Sequence, residues 1–263
     1  MEITLKKALF LLDAEQFPEI HSYLDACNTD AVTDTPYEIA ITILELDMPK
    51  TLPGFMIDFV TGLLELEISD DNADAMNDLG AQYYDGSRGF EQSFEKAVYY
   101  YKMAAEHGNR QAQENLGYCY YYGRDGEPDY EKAFHYFALG AFDGHLVSLY
   151  KIGDMYLNGL YVPENPTEAF HIYMHCIDTM TEEAAGRVAG PVYLRLGKMF
   201  LEGNGTEQNL RKAMISFQKA ELFLTDMVMN GDVMYKKSLK EAVEGQKEVR
   251  KLIEFPEAEW KFD

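Results

Sequence analysis

Hydrophobic residues recur at helical spacing along most of the chain, and the pattern itself repeats. Within residues 72–108, Ala75, Leu79 and Tyr83 fall on one face of a helix, and the same arrangement returns in the stretch that follows. A polar turn and a second segment with an apolar face come after each of these helices. The pattern therefore predicts a succession of short helix pairs.

Small residues mark the same places in every copy. A Leu-Gly or Ile-Gly pair begins at Leu79, Leu116, Ile152 and Leu196. A second glycine, six residues after the first, ends the helix at Gly86, Gly123, Gly159 and Gly203. An alanine of the second helix stands at Ala97, Ala133, Ala169 and Ala213, with spacings of 36, 36 and 44 residues. Repetition at this period predicts an all-α solenoid of helix-turn-helix units.

Local chemistry and packing agree with these helix pairs. Four residues before each alanine stands a residue favoured as a helix N-cap, namely Ser93, Asp129, Asn165 and Asn209.

A glycine inside a helix lowers the stability of the helix by about 1 kcal/mol relative to alanine, so its recurrence predicts close approach between helices. Aromatic residues are predicted to pack around the small ones, on first helices at Tyr83, Tyr120, Tyr156 and Phe200 and on second helices at Tyr101, Phe137, Tyr173 and Phe217. Because Tyr120 aligns with these core aromatic residues, it is expected to be buried.

The sequence resembles the Sel1-like repeat family, a relative of the tetratricopeptide repeats. The resemblance rests on the motif NA-x-A-x-x-x-LG-x-x-Y-x-x-G, a turn, and KA-x-x-Y-Y-x-x-AA-x-x-G at residues 72–108, and it covers about 72–230. It implies a right-handed α-solenoid, an α/α superhelix of helix pairs, that acts as an adaptor or regulator by binding other proteins. It also implies that the first helices line an inner groove.

Three regions are expected along the chain. Residues 1–70 form an N-terminal helical cap region, with helices at about 2–13, 17–27, 36–47 and 53–68. Residues 71–231 hold four repeats, at about 72–108, 109–144, 145–188 and 189–231, and residues 232–263 hold a capping helix at about 232–253 and a tail. The alanine spacing from the third repeat to the fourth is eight residues longer than the two spacings before it. This surplus, at 179–191, is expected to lengthen the second helix of the third repeat and its connection to the fourth.

The net charge of the chain limits the kinds of molecule that it is expected to bind. The net charge is −22, and residues 1–90 carry 18 acidic and 4 basic side chains. This balance argues against nucleic acid, which binds basic faces, and against anionic membrane surfaces. It permits a basic protein or peptide, which the field would attract over long range.

The sequence also bears on location. No apolar run reaches the length of a membrane span, and the five apolar residues after Lys6-Lys7 are too few for the core of a signal peptide. No repeat holds two of the three cysteines, Cys27, Cys119 and Cys176, which favours reduced thiols. A cytoplasmic monomer is expected.

Candidate chemistry is sparse. His171, His175 and Cys176 share a helix, but a zinc site needs more ligands on one face than this spacing supplies. The glycine-rich stretch 203–206 lacks the lysine of a phosphate-binding loop. No set of nucleophile, base and orienting group stands out. We therefore expect no catalytic residue, no metal and no cofactor.

The favoured hypothesis is a scaffold that binds a basic protein segment in the groove, across repeats two and three. By resemblance, the groove would present Asn77, Tyr84, Glu114, Tyr118, Tyr121, Tyr122, Tyr150, Asp154 and Asn158. Tyrosine gives contact area at low entropic cost, and carboxylates favour arginine or lysine on the partner. The alternative is an acidic inhibitor, or immunity-type neutralising partner, of one basic enzyme, acting through the acidic surface of the first 90 residues.

Overall fold

The computed structural model describes residues 4–46, 51–124 and 126–254. These residues form thirteen α-helices and two short 3-10 turns, and no strand occurs among them. The chain is an all-α protein of the solenoid class, as the period predicted. It divides between Asp129 and Tyr130 into two compact units. This division falls inside the second repeat, between its two helices.

The first unit contains the N-terminal helices, the helix pair of the first repeat and the first helix of the second repeat. Its helices are α1 (Leu5–Leu11), α2 (Pro18–Asn28), α3 (Pro36–Glu45), α4 (Gly54–Ser69), α5 (Ala73–Asp85), α6 (Phe94–Glu106) and α7 (Arg110–Tyr122), with a 3-10 turn at Ser87–Gly89. The predicted helices start and end within a few residues of these bounds, apart from positions 2, 3 and 47, which lie outside the described residues. Thr35 begins α3 with a capping box, in which its hydroxyl accepts a hydrogen bond from the backbone N–H of Glu38.

The apolar segment before the first repeat folds as α4. Its side chains Met56, Phe59, Val60 and Leu64 are buried. They belong to the core of the first unit, which also takes in Leu79 of α5. Burying aliphatic and aromatic side chains of this size stabilises a fold by about 1.5–3 kcal/mol each. α4 therefore ties the N-terminal helices to the first helix pair.

The second unit contains the remaining six helices of the described chain. They are α8 (Tyr130–Phe142), α9 (Leu146–Asn158), α10 (Pro166–Thr179), α11 (Glu182–Glu202), α12 (Leu210–Met229) and α13 (Lys236–Glu254), with a 3-10 turn at Val233–Tyr235. Its core is dominated by α11 and α12, whose inner faces are aliphatic and aromatic. The last helix begins at Lys236 rather than at the predicted 232, because the 3-10 turn comes first.

The surplus residues of the third repeat lie elsewhere than predicted. The second helix of that repeat, α10, has 14 residues, whereas α11, the first helix of the fourth, has 21. The prediction that 179–191 lengthens α10 is therefore wrong. Met180 has an extended backbone, and the Thr181 hydroxyl accepts from the N–H of Ala184 as an N-cap. Glu182 and Glu183 lie in the first turn of α11, where negative charges stabilise the N-terminus of a helix.

The predicted N-caps start the second helices. Ser93, Asn165 and Asn209 each accept a hydrogen bond from the backbone N–H three residues later. Asp129 directly precedes α8. The four glycines that end the first helices have φ between 61° and 72°, a left-handed conformation that glycine adopts without strain. The turn between the two helices of a repeat is therefore encoded locally.

The mid-helix glycines make room for the aromatic rings of the partner helix, as predicted. A Cβ atom on Gly80 would lie 2.8 Å from the Tyr101 ring, and one on Gly153 would lie 2.7 Å from the Tyr173 ring. A Cβ on Gly197 would likewise lie 2.7 Å from the Phe217 ring. Real Cβ atoms do not approach so closely, so only glycine lets these helices pack at this distance.

The aromatic residues divide by helix. The second-helix residues Tyr101, Phe137, Tyr173 and Phe217 are all buried. On the first helices Phe200 is buried, but Tyr83, Tyr120 and Tyr156 are half-buried. The prediction that Tyr120 is buried is therefore wrong. Tyr120 lies in the last turn of α7, and its ring faces the ammonium of the exposed Lys102 at 5.8 Å rather than apolar side chains alone.

The cysteines form no disulfide. Cys27, Cys119 and Cys176 lie within the described residues, and all three are buried thiols. Cys176 is fully buried, with its thiol 3.9 Å from the Leu146 carbonyl oxygen. Burial raises the pKa of the Cys176 thiol to about 12.

The buried hydroxyl of Ser148 is unfavourable for the stability of the second unit. Its side chain is fully buried in α9, where the first two repeats carry Ala75 and Ala112, and its hydroxyl has no hydrogen-bond partner. A buried, unsatisfied hydroxyl costs about 1–3 kcal/mol. We therefore expect Ser148→Ala to raise the free energy of unfolding in urea by about 1 kcal/mol. An unchanged or lower midpoint would show that the hydroxyl is satisfied.

Candidate functional site

The predicted site residues of the first unit lie on α5 and α7, the first helices of repeats one and two. Tyr122 is 49% exposed, and Tyr84, Tyr118 and Tyr121 are half-buried, so these four rings reach the surface. Asn77 and Glu114, in contrast, are buried, at 8% and 4% exposure. The aromatic part of the predicted surface is therefore accessible, and its polar part is largely inside.

The tyrosine rings form a connected cluster. Tyr118 and Tyr122 stack one turn apart, with ring centroids 6.2 Å apart and planes within 10°. Tyr121 meets Tyr122 edge to face at 4.9 Å. Such offset and edge-to-face pairs are the favoured arrangements of aromatic rings. The cluster presents both ring faces and hydroxyl groups from a single helix, α7.

Arg124, which was not among the predicted site residues, lies against three aromatic rings, and Tyr122 of the tyrosine cluster is one of them. The Arg124 guanidinium carbon is 4.9 Å from the ring centroid of Phe94, 5.6 Å from that of Tyr122 and 5.7 Å from that of Tyr84. Its Nε donates a hydrogen bond of 3.2 Å to the Tyr84 hydroxyl. We call Tyr84, Phe94 and Tyr122 the aromatic cage.

Beside the tyrosines runs a polar ladder across α3, α5 and α7. The Tyr37 hydroxyl donates to Asp78 at 2.7 Å, and the Asn77 amide donates to the same carboxylate at 3.2 Å. The Asn115 amide donates to Asn77 at 3.1 Å, and Gln111 donates to Asn115 at 3.4 Å. Burial raises the pKa of Asp78. The predicted role of Asn77 as a partner contact must compete with its internal role in fixing neighbouring first helices.

The predicted residues of the second unit centre on Asp154. This carboxylate is 5% exposed and accepts hydrogen bonds from the Arg195 guanidinium and, at 2.7 Å, from the Tyr173 hydroxyl. Lys151 lies 3.7 Å away, and the Arg195 guanidinium also covers the Tyr150 ring at 5.1 Å. Burial by itself would raise the pKa of Asp154, but the attraction and hydrogen bonds of Arg195 outweigh it and lower the pKa.

This arrangement changes the chemistry expected at Asp154. The sequence suggested a carboxylate offered to a basic partner, but the structure shows one that already binds a cation of its own chain. Tyr150 is buried at 2% exposure, and the exposed Asn158 donates its amide to the Asp154 carbonyl at 2.6 Å.

One sequence signal could have identified the ladder and the ion pair. The residue directly before each Leu-Gly or Ile-Gly pair is polar in all four repeats, namely Asp78, Asn115, Lys151 and Arg195. Polar residues next to a buried position in every copy indicate side chains that bind one another across helices. Which residues pair depends on three-dimensional contacts that the sequence does not show.

Nothing among the described residues resembles a metal centre. No group of three or more histidine, cysteine, aspartate or glutamate side chains in that part of the chain is placed to hold an ion. His171 and His175 are exposed on α10, whereas Cys176 on the same helix faces the core. Over the same residues, every helix is too short or too polar to cross a lipid bilayer.

Fold and surface together define a helix-pair repeat protein of the solenoid class. The sequence profile of the Sel1 repeat matches residues 73–109, 110–145, 146–173 and 191–221, which is half of the chain. The protein belongs to the Sel1 repeat family. The number of matched segments equals the number of repeats predicted from glycine and alanine spacing.

Two solved structures resemble the chain in fold. A Sel1 repeat protein from Oxalobacter formigenes has 21% identity and a TM-score of 0.56, covering 76% of this chain and 78% of that one. A protective antigen of uropathogenic Escherichia coli with an SLR fold has 17% identity and a TM-score of 0.59. The second match covers 94% of this chain but spans only 55% of the antigen. No curated protein matched the sequence.

Proposed function

We propose that the protein is a non-enzymatic interaction scaffold that binds a basic segment of another protein on the surface formed by Tyr118, Tyr121 and Tyr122. Sel1 repeat proteins are generally scaffolds for protein–protein interaction. The observation that carries the finer proposal is this cluster of partly exposed tyrosines on a first helix. A surface of rigid amphipathic rings suits recognition of a peptide.

The basic character of the partner follows from charge and ring chemistry. The chain carries a net charge of −22, which attracts cationic segments over long range. Exposed tyrosine faces bind arginine or lysine with about 0.5–1 kcal/mol per contact. Because Glu114 and Asp154 are buried, direct pairing with those two carboxylates contributes little to this proposal. The absence of a disulfide among the three buried cysteines is consistent with a reducing compartment such as the cytoplasm.

The tyrosine surface can be tested with short labelled peptides of equal length, one rich in arginine and lysine and one rich in aspartate and glutamate. We expect fluorescence anisotropy to show binding of the basic peptide only. Tyr118→Ala/Tyr121→Ala should weaken that binding about 10-fold, the equivalent of about 1.4 kcal/mol. The rings lie at the surface, so the circular dichroism spectrum should be unchanged.

The matched control replaces two tyrosines that are exposed elsewhere. Tyr99 and Tyr161 are 59% and 56% exposed, and neither belongs to the tyrosine cluster on α7. Tyr99→Ala/Tyr161→Ala should bind the basic peptide like the wild type. Equal losses in both double variants, or equal binding of the acidic peptide, would refute the proposed site.

Salt separates this proposal from an inhibitor that acts through the acidic surface of residues 1–90. Association steered by the field should slow about 10-fold or more between low and high salt. For binding at the tyrosines, we expect the substitutions to act mainly on the dissociation rate constant, as most interface changes do. Stopped-flow measurement with the basic peptide gives both rate constants. A steep salt effect with no tyrosine effect would favour the acidic surface.

A further inference from the structure

We infer that the aromatic cage of Tyr84, Phe94 and Tyr122 is a binding site for an arginine side chain of the partner, and that Arg124 fills it until the partner binds. This inference deepens the proposed function and rests on it, since it names the side chain that the basic segment presents and the contact that this side chain replaces.

The seated guanidinium shows which chemistry the cage accepts. Three ring centroids lie within 4.9–5.7 Å of the Arg124 guanidinium carbon, inside the range of cation–π attraction. The Tyr84 hydroxyl adds an acceptor for Nε at 3.2 Å. Burial raises the pKa of Tyr84, so this hydroxyl stays protonated at neutral pH. A planar cation with N–H donors along its edge satisfies both features, which favours arginine over lysine.

The cage is open to a competing ligand. Arg124 is exposed, and Tyr122 is 49% exposed, so one side of the guanidinium faces solvent. Among the described residues, no carboxylate forms an ion pair with Arg124. It is therefore held by the rings and one neutral acceptor, a combination that another guanidinium can reproduce.

Comparison of the repeats argues against a general packing role. The positions equivalent to Arg124 in the other copies are Ser87, Leu160 and Asn204, and those equivalent to Tyr122 are Asp85, Asn158 and Glu202. The other helix pairs thus pack without an arginine or an aromatic ring at these places. The cage belongs to repeats one and two alone, next to the tyrosine surface proposed to bind the partner.

An internal occupant lowers the apparent affinity of an external one. If the cage is free only a tenth to a fifth of the time, the apparent dissociation constant for a second guanidinium rises about 5-fold to 10-fold. Occupancy of this order follows from three weak cation–π contacts and a hydrogen bond held at high effective concentration within one chain. A partner arginine must therefore bind the cage strongly enough to displace Arg124.

The test is a nuclear magnetic resonance titration of the full chain with N-acetyl-L-arginine amide, read from the aromatic signals of the cage. We expect Arg124→Ala to bind this probe about 5-fold to 10-fold more tightly than the wild type. Arg124→Gln, which keeps a long side chain, should show the same gain. Arg211→Ala, which removes an exposed arginine of α12, should bind like the wild type. Adding Tyr122→Ala to Arg124→Ala should abolish the gain.

Two results would overturn the inference. One is probe binding by folded Arg124→Ala and Arg124→Gln that is no tighter than that of the wild type. The other is a gain that persists when Tyr122 is also replaced. Neither result decides the proposed scaffold function, because its test replaces Tyr118 and Tyr121, the two members of the tyrosine surface that lie outside the cage. Conversely, a wild-type protein that does not bind the basic peptide, together with the expected gain of probe binding in Arg124→Ala, would refute the scaffold site and leave the cage in place.

Discussion

Asp154→Asn is expected to lower the free energy of unfolding of the second unit by about 3–5 kcal/mol. The carboxylate is buried, and it is the counter-charge of Arg195, whose side chain is only 24% exposed. An asparagine of equal size would leave that guanidinium without an opposite charge, which is the costly way to break a buried pair. Urea denaturation followed by circular dichroism measures the loss.

The matched control for this substitution is Asp178→Asn. Asp178 is an exposed aspartate on the neighbouring helix α10, so its replacement should change the stability by less than about 0.5 kcal/mol. An Asp154→Asn protein that unfolds at the same urea concentration as the control would show that the ion pair contributes nothing to the fold.

The same carboxylate gives an expected pH dependence. The folded protein lowers the pKa of Asp154 below the value of about 3.9 in an unfolded chain. Its contribution to stability is therefore complete above about pH 4 and is lost as the pH falls through the folded pKa. Wild-type protein should lose more stability than Asp154→Asn on acidification below pH of about 4. Parallel losses in the two proteins would contradict the lowered pKa.

Phe217→Ala is expected to destabilise the second unit by about 3–5 kcal/mol. The ring is 1% exposed and lies between two glycines, since a Cβ on Gly197 or on Gly245 would meet it at 2.7 Å or 2.5 Å. Removing the ring leaves a cavity between α11, α12 and α13 that rigid helices cannot close. Chemical denaturation again gives the magnitude.

The second half of this test is that replacement of Phe217 should reverse the sign of the effect of Gly197→Ala on stability. In the wild type, Gly197→Ala should destabilise by about 1–3 kcal/mol because its methyl group meets the ring. In Phe217→Ala the same methyl group enters the cavity, so the second substitution should become neutral or stabilising. Gly186→Ala, in the same helix with nothing within 4 Å, should stabilise both proteins. Additive effects at Gly197 and Phe217 would refute this direct contact.

The features that could be predicted from the sequence are those that the chain encodes locally. The N-cap at Ser93, the left-handed glycine at Gly86 and the room left by Gly80 each depend on residues of one helix pair. Since every copy repeats these signals, each copy supports the prediction made from the others. Fold class and helix bounds followed from them, and the bounds erred mainly where Thr181 starts a helix outside the repeat pattern.

The candidate site was harder to predict because its chemistry lies between helices. Carboxylates such as Glu114 and Asp154 usually lie at the surface, yet both are buried here. Asp154 forms an ion pair with an arginine 41 residues away in the sequence. The resemblance placed first helices along a groove but could not distinguish side chains that point out from those that bind a neighbour. Arg124 was missed because it lies in a turn whose equivalents are not basic.

The pairing of glycine with an aromatic ring has a consequence for how such a chain arises. Gly80 and Tyr101, Gly153 and Tyr173, and Gly197 and Phe217 each belong to the two helices of a single repeat. A duplicated gene segment of this length carries both halves of the contact with it. New copies can thus be inserted or lost without matching changes in this contact elsewhere in the gene. The Asp154–Arg195 pair joins two different repeats, so a duplicated segment that carries only one of these two residues does not carry this contact with it.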